Sequence, residues 1–111
     1  MRMVVEQGVL DGIEYAITDI YGGFGRPKLI EWVGYNGYVY FPAELHPTER
    51  SGDCSEVHGG VTLCSAHKGG FVYGFDTSHR HSPNYPTKDV EWIKDELRKL
   101  ILSVRQTMVE D

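Results

Sequence analysis

The sequence lacks any long apolar run. No window of its 111 residues reaches the roughly 18 to 20 consecutive apolar residues that a membrane-spanning helix requires. Residues 1–6 also lack the basic region followed by an apolar stretch that is typical of a secretory signal peptide. We therefore expect a soluble, cytoplasmic protein that neither spans a membrane nor is secreted.

Basic charge is also scarce. The chain has 16 acidic and 11 basic residues, a net charge of −5, and no run of Lys or Arg forms a stripe that could follow a phosphate backbone. This composition excludes general nucleic-acid binding. It also slightly favours a partner protein with a basic surface over a free polyanion.

Cysteine is rare and the common metal motifs are missing. The two cysteines are Cys54 and Cys64, and in a reducing cytoplasm we expect both to be thiols. Neither a Cys-x-x-Cys nor a His-Glu-x-x-His spacing occurs. The sequence therefore identifies no cofactor.

Turns between β-rich runs dominate the first two thirds of the chain. The length fits a single domain, 1–111, and we expect its strands within residues 3–76. Asp11-Gly12, Asn36-Gly37 and residues 67–70 lie between such runs and predict three hairpins. Irregular loops are expected at 43–60, with one short helical turn, and at 77–87.

Apolar residues recur at helical spacing near the C-terminus and predict a helix over residues 88–108. The predicted fold is α+β, with a bent antiparallel sheet of about six strands in three hairpins packed against this one long helix. The sheet residues expected in its core are Val5, Val9, Ile13, Ile17, Ile30, Val39, Phe41, Leu63 and Val72.

Residues capable of chemistry are concentrated between positions 54 and 81. If residues 61–65 pair with residues 71–76 in the third hairpin, Asp76 at the end of the second strand lies beside the start of the first strand. His58 lies just before that start. His58, Asp76 and His79 then converge at one end of the sheet. The full set is Cys54, His58, Cys64, His67, Asp76, His79 and His81.

Two kinds of catalytic site would use this set. The first is a metal site with ligands among His58, Asp76, His79 and His81, because imidazole and carboxylate bind zinc, iron, manganese and nickel. The second is acid–base chemistry by His58 oriented by Asp76, with Cys64 as nucleophile.

Ligand binding without catalysis is a third possibility. Gly59-Gly60 and Gly69-Gly70 can present backbone N–H groups to an anion, and Tyr or Trp rings can stack on a planar group. The structural alternatives are that these glycines serve turns, that His58 and His79 fasten loops to the sheet, and that Cys64 is a small apolar residue.

Two motifs in order resemble a family of small, uncharacterised phage and prophage proteins, over roughly residues 32–102. They are a His-Gly-Gly-x-Thr segment and a Gly-Phe-Asp-x-x-His segment; the matching positions are His58, Gly59, Gly60, Thr62, Asp76 and His79. The resemblance implies phage or prophage origin and action in the cytoplasm of an infected bacterium. Family members often have a Gly-Asp pair after the second His, whereas this chain has Arg80-His81-Ser82.

These observations support two hypotheses. The first is a binding protein that holds a host protein or a small anionic ligand through the His, Asp and Gly-rich stretch. The alternative is a small hydrolase-like enzyme, metal-assisted or acid–base, centred on His58, Asp76 and His79. The sequence makes no prediction of the oligomeric state.

Overall fold

In its described residues, the chain forms one five-stranded antiparallel sheet and one long helix. The computed structural model describes residues 2–20, 34–48, 57–58, 60–77, 85–86 and 88–110. The strand order is β1-β2-β3-β5-β4. The α+β class is as predicted, with five strands in the described residues where about six were expected. The elements are β1 (Arg2–Leu10), β2 (Ile13–Ile20), β3 (Tyr35–Phe41), β4 (Leu63–His67), β5 (Gly70–Phe75) and α1 (Val90–Glu110), with a 3₁₀ turn at Ala43–Leu45.

Two of the predicted hairpins are confirmed. Asp11 and Gly12 have φ values of 51° and 83°, and Lys68 and Gly69 have φ values of 49° and 83°. Positive φ at both central residues is typical of a type I′ turn, whose twist matches that of the flanking strands. Gly69 is therefore required by the hairpin turn between β4 and β5.

The prediction of a turn at Asn36-Gly37 is wrong. Both residues lie inside β3, and Gly37 pairs with β2 on one side and with Phe75 of β5 on the other. A Cβ at position 37 would lie 2.8 Å from Leu97 Cδ2 and 2.8 Å from Phe75 Cε1. The glycine is needed here because the helix approaches the sheet closely, and residues 29–33 of the predicted hairpin lie outside the described residues.

The helix begins two residues later than predicted because Asp89 is its N-cap. The Asp89 Oδ1 atom accepts hydrogen bonds from the backbone N–H groups of Glu91, at 2.9 Å, and Trp92, at 3.4 Å. The helix then continues to Glu110. Within the described ranges, no helix combines the length and the apolar character that crossing a membrane requires.

Polar contacts align α1 with the β1–β2 hairpin. Lys94 Nζ lies 3.3 Å from Glu6 Oε2 in the middle of β1, and Arg105 Nη2 donates a hydrogen bond to the carbonyl oxygen of Asp11 in the turn. Eleven helical residues and five strand residues each span about 16 Å. The helix axis and the hairpin therefore run side by side towards the turn.

The core lies between α1 and one face of the sheet. Predicted core residues of the sheet that are buried there are Ile13, Ile17, Val39 and Phe41, and from the helix Ile93, Leu97, Leu100, Ile101 and Val104. Tyr15, Tyr73 and Phe75 complete it.

Three predicted core residues are exposed. Val5 is 39% exposed at a bulge in β1, where the register shifts between Val4 and Glu6. Val9 and Leu63 are 64% and 36% exposed. Val9 and Leu63 lie on the sheet face that α1 does not cover, and so does the half-buried Val72. Ile30 lies outside the described residues.

The close contact at Gly37 generates the first prediction. Gly37→Ala should lower the stability of the protein by about 1–3 kcal/mol, because the added methyl group overlaps Leu97 and Phe75. Chemical denaturation measures the change. Gly8→Ala is the control, because Gly8 lies on the edge strand β1 and its added Cβ would be 3.2 Å from Tyr15 Cε1. Its effect on stability should be smaller. Equal stability of Gly37→Ala and wild type would contradict the close approach of helix and sheet.

Candidate functional site

Within the described ranges, α1 covers one face of the sheet and no element covers the other. Successive side chains of a strand point to opposite faces, and the register fixes which positions share a face. Ile17, Gly37 and Phe75 share the face that packs against α1. The opposite face, here called the open face, therefore carries the alternate residues, including Ala16 and Tyr38, which are directly paired.

The open face forms a concavity of about 870 Å³. All five strands contribute to its lining, from Gln7 of the edge strand β1 to Leu63 of the opposite edge strand β4. The sheet is therefore curved towards this side. The volume lies within the range of about 300–1,000 Å³ that is usual for small-molecule sites.

Aromatic side chains from β3 lie along the concavity. The ring of Tyr38 covers Gly74, where a Cβ would come within 2.5 Å of Tyr38 Cδ1. The ring of Tyr40 meets that of His67 edge to face, with centroids 5.4 Å apart. Lys68 also lines the concavity. The concavity therefore combines the flat apolar rings of Tyr38 and Tyr40 with the polar side chains of His67 and Lys68.

Two polar side chains that extend from the open face of β2 and β3 are buried. Thr18 and Asn36 are paired across β2 and β3 and are 8% and 2% exposed. Among the residues that the structure describes, neither the Thr18 Oγ1 nor the Asn36 Oδ1 atom has a hydrogen-bond partner, and both atoms are shielded from solvent. Such groups are rare in native proteins, because each costs about 1–3 kcal/mol when left unsatisfied. Thr18 also lines the concavity.

Sequence reasoning missed this surface because its residues are spread from position 7 to position 72. One signal was present. In β3, Asn36, Tyr38 and Tyr40 recur at every second position, which places three polar or aromatic side chains on one face of a strand. A half-buried strand with only polar and aromatic residues on one side indicates a functional face.

Within the predicted site, His58 fastens a loop to the helix. Its ring is buried and meets the rings of Tyr85 and Trp92 edge to face, at centroid distances of 4.9 and 5.2 Å. Its backbone N–H donates to Glu96 Oε1 at 2.8 Å. Glu96 is itself buried and forms a salt bridge with Lys99 at 2.6 Å. These contacts agree with the structural alternative for His58.

The chain after His58 leads directly to β4. Gly60 has a φ of 77°, and its N–H donates to the carbonyl oxygen of Val57 at 2.8 Å, which closes a tight turn. The exposed residue Thr62 then donates its backbone N–H to the carbonyl oxygen of Gly74 at 2.9 Å. The glycine therefore serves a turn that delivers the chain to the edge of the sheet.

Asp76 lies at the end of β5 where the open face has its buried polar pair. Phe75 pairs with Gly37, so the continued antiparallel register brings Asp76 beside Asn36. Next to it, the Thr77 Oγ1 atom accepts a buried hydrogen bond from the N–H of Gly34 at 2.8 Å. Asp76 is half-buried. The predicted site therefore reaches the open face at this residue.

Several candidates fall outside the described part of the chain: Cys54, Gly59, His79 and His81. Among the residues that are described, no three His, Cys, Asp or Glu side chains form a group that could hold a metal ion. The metal site predicted on His58, Asp76, His79 and His81 stays a prediction. Cys64 is half-buried and packs against the core, as its apolar interpretation predicted.

A second polar cluster links β1, β2 and α1. The Tyr15 hydroxyl donates to Glu6 Oε2 at 2.6 Å, and the ammonium of Lys94 lies 3.3 Å from the same oxygen. The hydrogen bond from Tyr15, followed by Lys94, holds the pKa of Glu6 below its ordinary value. The hydrogen bond that Tyr15 makes to Glu6 raises the pKa of Tyr15. The interaction of Lys94 with the same carboxylate raises the pKa of Lys94. This arrangement stabilises neutral Tyr15 and therefore indicates a structural contact.

Comparisons with family models, with curated proteins and with solved structures found no match to this chain. The resemblance to phage and prophage proteins stays a prediction.

The contacts of His58 predict a structural effect of its removal. His58→Ala should lower the stability by about 1–3 kcal/mol, a fall in Tm of several degrees, because it empties the space between Tyr85 and Trp92. His58→Phe should retain most of the stability, since it keeps a ring there. Thermal unfolding measures both, with exposed His67→Ala as the control. An unchanged Tm in His58→Ala would contradict the fastening role.

The lowered pKa of Glu6 predicts a pH-dependent contribution to stability. Glu6→Gln should be less stable than wild type above pH 4.5, the ordinary pKa of the carboxyl group. The difference should close as the pH falls through the lowered pKa, because protonated Glu6 resembles Gln. Urea unfolding between pH 7 and pH 2 measures it. Tyr15→Phe should reduce this pH dependence, and a difference that stays constant down to pH 2 would contradict the prediction.

Proposed function

We propose that this protein binds a small ligand in the concavity of the open face. The observation that carries the proposal is a concavity of small-molecule size, about 870 Å³, lined by aromatic rings and by polar and charged side chains, among them Tyr38, Tyr40, His67 and Lys68. The Tyr38 and Tyr40 rings offer a ligand flat apolar surface, and Lys68 offers it a positive charge. The ligand is then a molecule of the cytoplasm, the compartment predicted from the sequence.

The shape of the surface favours a small ligand over a host protein. A stable protein–protein interface buries about 800 Å² on each partner and usually has a flat or protruding core. The open face is instead concave, with Ala16 and Val72 between larger residues at the rims. A compact molecule fills such a space more completely than a protein surface does.

The geometry favours binding over the hydrolase alternative. His58 is buried between aromatic rings, and its backbone is bonded to Glu96. A general base needs access to a substrate proton. Of the predicted ligand-binding residues, Asp76 keeps the strongest connection to the proposed site, because it adjoins Asn36 at one end of the open face.

Filling the concavity tests the proposal. Ala16→Phe should abolish small-ligand binding, because Ala16 lies at its centre and faces Tyr38 across the strands. Gln106→Phe adds the same ring to an exposed position of α1 and should leave binding unchanged. The measurement is saturation-transfer NMR with separate pools of nucleosides and nucleotides, hexoses, and aromatic carboxylic acids.

The expected result is that wild type and Gln106→Phe bind members of at least one pool, and that Ala16→Phe, shown to be folded by circular dichroism, does not. Binding that persists in Ala16→Phe would move the site elsewhere. The proposal would also fail if no pool bound to wild type.

A further inference from the structure

The concavity has opposite charges at two of its borders. Glu14 lies on β2 and Lys68 lies in the turn between β4 and β5. Both residues are exposed and line the concavity. Among the ion pairs of the described residues, none joins the Glu14 carboxylate to the Lys68 ammonium. The surface therefore offers a partner for a cation on one side and a partner for an anion on the other.

Aromatic and apolar surface lies between the two charges. Tyr40 of β3 is paired with Glu14 on one side and with Val72 of β5 on the other, so the three side chains form one row on the open face. The ring of His67, which contacts the Tyr40 ring, continues the row towards Lys68. Ala16, two residues from Glu14 along β2, leaves space beside the row because its side chain is small.

The geometry of the sheet sets the distance between the charges. Glu14 and Val72 are two strand spacings apart, and Lys68 lies farther towards β4 and beyond the pair of His67 and Gly70. Strand spacing and rise per residue then place the Cα atoms of Glu14 and Lys68 about 15 Å apart. Their long side chains shorten this to roughly 10 Å between the charged atoms when both lean over the curved sheet.

A dipeptide matches this distance. Its amino nitrogen and carboxyl carbon lie about 6 Å apart in an extended conformation. Two charge-assisted hydrogen bonds of about 2.8 Å add the remaining length. In a free amino acid the same two atoms are only about 2.5 Å apart, so that molecule reaches one charge at a time.

The chemistry of a short peptide also matches the row. Its ammonium can donate to the Glu14 carboxylate while it lies near the Tyr40 ring, where a cation is favoured. Its carboxylate can accept from Lys68 and His67. Apolar side chains of the peptide can pack over Ala16 and beside Tyr40, which buries apolar surface on both molecules.

Other ligand classes match fewer of these groups. A nucleotide brings several negative charges to a chain whose net charge is −5 and has no cation for Glu14. A hexose uses neither charge. An aromatic carboxylic acid has a ring and a carboxylate but lacks the ammonium, and we therefore expect it to bind detectably but more weakly than a peptide.

We infer that the ligand of the concavity is a zwitterionic peptide of two or three residues with large apolar side chains, bound with its ammonium at Glu14 and its carboxylate at Lys68. The inference rests on the proposed function and specifies its ligand. Both ends of the peptide must be free, because each end supplies the charge that one border of the concavity recognises.

Calorimetric titration with three probes tests the inference: leucyl-phenylalanine, its N-acetyl derivative and its C-terminal amide. The free peptide should bind to wild type. Acetylation removes the ammonium and amidation removes the carboxylate, so each should weaken binding at least about tenfold. Free phenylalanine should also bind at least about tenfold more weakly than the peptide, since it reaches only one charge.

Two variants assign the two ends of the peptide. Glu14→Gln should bind the free and the acetylated peptide with affinities within about twofold of each other, and should still discriminate against the amide. Lys68→Ala should show the reverse pattern. Glu91→Gln and Lys88→Ala remove the same charges from exposed positions in and before α1 and should behave as wild type. Circular dichroism should show that all four variants are folded.

If acetylation costs Glu14→Gln as much affinity as it costs wild type, the assignment of the ammonium end is wrong. Equal losses on amidation in Lys68→Ala and wild type would overturn that of the carboxylate end, and equal affinity for phenylalanine and the peptide would overturn the length. If no peptide binds but a nucleoside, a hexose or an aromatic acid does, and Ala16→Phe abolishes that binding, the ligand class is wrong and the proposed function holds. If the peptide binds equally well to Ala16→Phe, both fail.

Discussion

At the centre of the molecule, α1 lies so close to β3 that position 37 has no space for a side chain. Leu97 and Ile93 of the helix and Phe75 of β5 fill the volume that a Cβ would need. Burial of the five apolar side chains of α1 contributes on the order of 10 kcal/mol, comparable with the whole net stability of a small domain. The sheet therefore depends on this one contact for its core.

Because α1 covers a single face, the contact also determines which residues are available for function. Every strand residue that alternates with a core residue lies on the open face. Thr18 and Asn36 are on that face, and each has a buried oxygen atom for which the described residues supply no hydrogen-bond partner, an arrangement that reduces stability while the core on the other side maintains it. A local conflict of this kind, in a sequence that is otherwise consistent with its fold, is typical of a functional site.

Local sequence patterns predicted which turns and strands form better than they predicted the tertiary contacts of those elements. Asp11-Gly12 and Lys68-Gly69 form the predicted turns because positive φ is a local requirement. Asn36-Gly37 also ends in glycine and is a preferred turn pair, but its glycine is needed for a tertiary reason, the close approach of Leu97, which no local stretch of sequence contains. Val9 and Leu63 were misplaced for a related reason, since alternation along a strand does not say which face a distant helix will cover.

The candidate site was predicted in part. The sequence predicted a catalytic, metal or ligand-binding site centred on His58, Asp76 and His79, and in the structure His58 is held by Tyr85, Trp92 and Glu96. The concavity was not foreseen because its lining comes from five strands, and only the register brings Gln7, Ala16 and Tyr38 into one row. Such a surface exists only once the strands are paired.

The predicted stretch and the concavity are parts of one arrangement. The contact between His58 and Glu96 fixes the chain just before the turn at Gly60, and β4 begins three residues later. β4 supplies Leu63 and His67 to the wall of the concavity. The position of that wall therefore depends on the anchoring of His58 to α1, at the opposite side of the sheet. A histidine that contacts no ligand can in this way determine the width of a binding surface, because it sets where the edge strand starts.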